Sequence, residues 1–77
     1  MYSQEHMELL TDVLNKFRVF QEALFNHFDK LVKDQQIFDF EDEAERFKSH
    51  SQEGVQLINA QKKLDKFKRE HLSQTVK

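Results

Sequence analysis

A chain of 77 residues with no Cys, no Pro and one Gly has room for one small domain and no disulfide or thiolate metal site to staple it. That length leaves too little core for a self-contained enzyme of ordinary design, and the formal charge of -2 gives no general attraction to nucleic acid or to an acidic membrane. No apolar run approaches the ~20 residues that cross a bilayer, and the start MYSQEHMELL lacks the basic head and apolar block of a signal peptide, so a soluble, cytoplasmic chain is expected.

The first expected element is a helix over about residues 4–35. Charged residues make up 34% of the chain, and no helix breaker falls in this stretch. Ser3 suits the N-cap with Glu5 in the first turn, and Lys30 and Lys33 sit where cations favour the C-terminal pole of the helix dipole. Leu10, Val13, Phe17, Phe20, Leu24 and Leu31 recur at steps of three, four or seven and form a near-heptad seam. Leu14, Phe25 and Val32 fall beside it and widen the apolar arc to roughly 140°. One partner helix cannot cover such an arc.

The tip, residues 36–39, contains Ile37 and Phe38 where Gly, Pro, Asn or Ser would be usual. Two readings stand for it. Ile37 and Phe38 fold over the end of the helices as an apolar plug near Leu31 and Val32, or they form a docking point for a partner protein together with Phe25, Phe28 and Val32.

A second helix is expected over about residues 40–72, with Asp39 as N-cap and Glu41, Asp42 and Glu43 in its first turn. Its basic end, KKLDKFKREH, is interleaved with Asp65 and Glu70 and lies at the pole the dipole prefers, so it reads as a solvated face and nucleic acid is an unlikely partner. Folding the halves back antiparallel sets Leu10 opposite Phe67, Val13 opposite Leu64, Phe17 opposite Ala60, Phe20 opposite Leu57 and Leu31 opposite Phe47. The same register brings His6 to His71 and His27 to His50. Phe40, Ala44, Phe47, Ser51 and Ile58 nevertheless lie roughly 100° round from Leu57, Ala60, Leu64 and Phe67. Either the helix breaks near Gly54, with the segment from Ser49 restarting a third helix, or the two faces serve different neighbours. The expected fold is therefore all-α, a single domain over 1–77. It is read as an antiparallel hairpin of two long helices that pairs with a second copy into a four-helix bundle, the alternative being a three-helix bundle broken near Gly54. Its core or dimer seam comprises Leu10, Val13, Leu14, Phe17, Phe20, Leu24, Phe47, Leu57, Ile58, Leu64 and Phe67.

Two segments resemble known families. SQEGVQLIN, from Ser51 to Asn59, is similar to the SQELDxLIN signature in the second helix of the small aspartyl-phosphate phosphatases that act on sporulation response regulators. It agrees at Ser51, Gln52, Glu53, Leu57, Ile58 and Asn59, and departs at Gly54 and Val55, where that family has Leu and the acid its activity depends on. The order of Phe20 to Leu24, Glu43 to Phe47, Gly54 to Leu57 and Lys62 to Leu64 resembles the small subunit of bacterial exonuclease VII, though without that family's Gly turn. The first implies a helical-hairpin phosphatase, the second an accessory subunit of a nucleic-acid enzyme.

No Gly-framed serine, phosphate loop or Glu-x-x-His pair on facing helices occurs, so no catalytic residue, metal ligand or cofactor is expected. The functional expectation is a small protein–protein interaction module, acting as regulator, inhibitor or assembly partner of a larger protein and forming a homodimer.

Overall fold

The computed structural model describes residues 2–71 as three helices: α1 (Gln4–Lys33), α2 (Phe40–His50) and α3 (Gln52–His71). The fold is all-α. It is an elongated rod of 51 × 23 × 18 Å whose length is set by the 30-residue α1. α3 runs back along α1 to make the main interface, while α2 lies near the far end of α1 and across the start of α3.

α1 starts where its cap chemistry dictates. The Ser3 hydroxyl accepts from the His6 N–H at 3.1 Å, satisfying one of the free donors of the first turn. The helix stops at Lys33, two residues short of the expected end. Gln36 N–H donates to Leu31 C=O at 2.9 Å and Gln35 N–H to Val32 C=O at 3.0 Å, the crossed pair of a Schellman ending. That ending requires a left-handed residue, and Gln35 takes the role at φ 59. With no Gly available, a Cβ-bearing side chain accepts strain of about 1 kcal/mol.

The long second helix is two helices, in keeping with the three-helix alternative. The break is at Ser51, three residues before Gly54, and Ser51 rather than Ser49 is the cap. Its backbone is extended (φ -86, ψ 153), and its N–H donates to Phe47 C=O to close α2. Its hydroxyl accepts from the Gly54 N–H at 2.9 Å to open α3. Ser49 instead turns its hydroxyl onto Glu45 C=O within α2. One residue outside the helix thus resolves the conflict of phase between the two apolar faces. Gly54 makes so sharp a joint possible. A Cβ there would press on the Lys48 carbonyl oxygen and lie 2.6 Å from the Lys48 Cα and carbonyl carbon.

The core is small and one-sided. Phe20, Leu57, Ala60, Leu64 and Phe67 are its buried apolar side chains, four of the five from α3. Leu10, Val13, Leu24, Phe47 and Ile58 are half-buried. Leu14 and Phe17 stay exposed at 59% and 45%. The α1 seam is therefore split: its Phe20 side meets α3 and α2, and its Leu14 side meets solvent.

Register is close to the expected one but displaced by about one turn. Phe67 meets His6, with ring centroids 5.1 Å apart, where the hairpin set it opposite Leu10. Phe47 lies on Phe20 (5.8 Å) and stacks on His27 (4.8 Å) where Leu31 was expected. For α2 the physical reason is the joint at Ser51, which frees it from the axis of α3 and lets Phe47 reach the middle of α1. His6 fills the far end of the core between Tyr2 and Phe67, 5% exposed. Among the described residues its Nε2 has no hydrogen-bond partner.

Candidate protein interaction surface

Phe25, Phe28 and Val32 stand three and four residues apart on α1, so their side chains share one stripe near its C-terminal end. Phe28 anchors that end. Phe38 stacks on it at 5.5 Å and 10°, Phe40 meets it edge-on at 5.1 Å, and Phe38 and Phe40 meet each other edge-on at 5.0 Å. The Asp39 cap fixes this arrangement from below. Its carboxylate accepts the N–H groups of Glu41 at 2.9 Å and Asp42 at 3.1 Å, which holds the chain between Phe38 and Phe40 in the bend that turns both rings onto α1.

The plug reading therefore holds for Phe38 and not for Ile37. Ile37 projects clear of the fold at 101% of its reference exposure, because the Schellman ending points it away from Leu31 and Val32. Phe40, expected to share a seam with Ala44 and Phe47, belongs instead to the Phe28 cluster and is 63% exposed. With Phe25 at 66% and Val32 at 60%, one end of the rod presents four large exposed apolar side chains. They sit among carboxylates: residues 29–45 include seven acids and two lysines. Lys33 is tied to Asp29 at 3.0 Å.

Beside this end lies a depression lined by His27, Glu43, Arg46, Phe47 and His50. The sequence register set His27 against His50. The ring of His27 instead donates from Nε2 to Glu43 Oε2 at 2.8 Å, with both side chains half-buried. A carboxylate oxygen only accepts, so Nε2 carries the proton. The expected meeting of two imidazoles is replaced by a hydrogen bond that ties α2 to α1, and the displacement of α2 toward the middle of α1 is the cause. At the other end His71 turns its Nδ1–H onto Phe67 C=O at 3.1 Å and stacks on the Phe67 ring (4.3 Å), so it caps α3 rather than facing His6. In the sequence Glu43 reads only as a first-turn acid suited to the dipole of its own helix. Its separation of 16 residues from His27 fits no helical repeat, and only the break at Ser51 brings the two together.

Among the described residues no group of three His, Asp or Glu side chains converges as a metal site, and no helix is long and apolar enough to cross a membrane. The phosphatase-like segment is put to structural use, Ser51 as a cap and Gly54 as the contact point of two backbones. Val55, at the signature's acid position, is 42% exposed. Comparison with family models, curated proteins and solved structures gives no match.

Proposed function

We propose that this chain is a protein–protein interaction module, a regulator, inhibitor or assembly partner that works through its surface and needs no cofactor. The observation that carries the reading is the apolar end of the rod, where Phe25, Val32, Ile37 and Phe40 are each 60% or more exposed. Single exposed apolar side chains are ordinary, but four large ones gathered at one end of so small a fold have the character of a binding surface. Its centre is aromatic and its margin charged, the composition of protein interfaces. The Phe28 cluster and the Asp39 cap hold the surface in place before any partner arrives, which lowers the ordering cost of binding. The absence of Cys from the sequence accords with a reducing, cytoplasmic setting.

The test is site-specific photo-crosslinking in the native host, with a benzophenone side chain placed at Phe25, at Ile37 or at Lys62 on the polar face of α3. Discrete protein adducts from Phe25 and Ile37, absent from Lys62, support the reading. Equal labelling at all three positions, or none at any, removes it.

A further inference from the structure

The apolar stripe on α1 extends well beyond the tip. Met7, Leu14, Phe25 and Val32 lie within a narrow arc of the helix, with Gln21 between them and Phe17 at the edge. The four are 50%, 59%, 66% and 60% exposed. This arc is roughly 100° round from the one that Phe20 and His6 bury against the rest of the fold. From Met7 to Val32 it runs about 38 Å by helical rise.

We propose that this face pairs with the same face of a second copy, α1 against α1, antiparallel about a two-fold axis between Val19 and Phe20. The pairing rests on the reading of the chain as an interaction module and names its partner. In this register Met7 meets the partner's Val32, Leu14 meets the partner's Phe25, and each apolar contact occurs twice by symmetry.

Three features select that occupant and that direction. The first is the stripe's own composition: it is apolar toward both ends, with Thr11 and Asp29 along one edge, and polar at its centre, where Arg18 and Gln21 are exposed. The antiparallel register sets Arg18 beside the partner's Gln21 and one residue from the partner's Glu22, so the central cation gains hydrogen-bonding and charge partners. A parallel pair would set the arginines side by side. The second is the charge of the rod's ends. Residues 29–45 carry seven acids against two lysines, whereas residues 62–70 at the other end carry five bases against two acids. Glu5 and Glu8 leave that second end near neutral. Antiparallel pairing lays an acidic end along a non-acidic one, while parallel pairing lays two acidic ends together.

The third is area. The exposed parts of Met7, Leu14, Phe17, Phe25 and Val32 amount to on the order of 500 Å² per copy. Half-buried Leu10 and Phe28 with exposed Arg18 and Gln21 bring the face toward the ~800 Å² per partner of a standard stable interface. A larger protein could also cover such a stripe, but it would have no reason to match the central Arg18 and Gln21 with the same residues in reverse.

Sedimentation equilibrium and single-cysteine crosslinking test this on the full chain. The wild type is expected to be a dimer at micromolar concentration. Leu14→Glu, a change at an exposed position, raises the dimer Kd about 100-fold or more with helical circular dichroism unchanged, because each substitution strikes the interface twice. Arg18→Glu weakens the dimer, and Arg18→Glu combined with Glu22→Arg restores it. Direction is read from cysteines, unambiguous in a chain that has none. Leu14→Cys mixed with Phe25→Cys forms the mixed disulfide, and neither links efficiently to itself. Self-linking of Leu14→Cys overturns the antiparallel register. A monomer at 100 µM or above, by order of magnitude weaker than any working dimer, overturns the pairing altogether. If Phe25 crosslinking still captures a different protein from that monomer, the interaction reading survives and only the choice of partner falls.

Discussion

α2 and α3 are neighbours in sequence, both charged and both helical, yet α3 buries five residues and α2 none. The difference is one of position along α1. α3 has a long straight run of contact on the Phe20 face and sinks Leu57, Ala60, Leu64 and Phe67 into it. α2 touches α1 through Phe40 on Phe28, through Phe47 and through the Glu43 bond to His27, and Phe40 stays 63% exposed despite its contact. Stability is thus concentrated in the α1–α3 pair, while the half of the molecule built on α2 displays its apolar side chains.

The largest test of that contrast sets Leu57→Ala against Phe40→Ala. Leu57 is 1% exposed and its truncation is expected to cost about 2 to 5 kcal/mol, whereas the larger Phe40, 63% exposed, is expected to cost under about 1 kcal/mol. Urea denaturation of the two variants checks this. Similar losses would mean that α2 carries as much of the fold as α3. Next in size is Gly54→Ala, which gains about 1 kcal/mol of helix propensity but forces the Lys48 backbone away, for a net loss of about 1 to 3 kcal/mol in the same assay. A stabilised Gly54→Ala would show that the α2–α3 crossing is not as tight as described.

Smaller effects sharpen the account of the joint. Ser51→Ala removes the cap of α3 and is expected to lower stability by about 1 kcal/mol, while Ser49→Ala leaves it within about 0.5 kcal/mol, since Ser49 only bonds back into its own helix. Paired thermal melts separate the two. Gln35→Gly is expected to raise stability by about 0.5 to 1 kcal/mol by relieving the left-handed backbone at the end of α1, a rise of a few degrees in Tm.

Much of this fold is legible from residue pattern because its helix starts obey simple cap chemistry. Ser3 and Asp39 begin helices where expected, and the buried set of Phe20, Leu57, Leu64 and Phe67 follows from helical period alone. The break was visible as a conflict of phase, but its place was not. Ser51 has Gly rather than Glu or Gln three residues on, so no capping box marks it, and the signal that does exist is the close backbone approach only a glycine allows. The end of α1 was obscured for a similar reason, since Gln35 takes a conformation that sequence reading assigns to Gly or Asn. At the surface, Phe25 and Val32 were recognisable from the width of the apolar arc. Which of Ile37 and Phe38 would turn inward depends on the geometry of the Schellman ending, which no spacing rule encodes.

The Ser51 joint also bears on how fast this chain reaches its fold. Both bonds that define it, Ser51 to Phe47 and Gly54 to Ser51, close over four residues or fewer, so the α2–α3 elbow can form on the sub-microsecond scale of local helical turns. Only the docking of α1 requires a long loop to close, and a preformed elbow shortens that search. Folding is expected within the microsecond-to-millisecond range of helical bundles. In temperature-jump relaxation, Ser51→Ala should slow folding while leaving unfolding nearly unchanged, the mark of a contact made before the barrier.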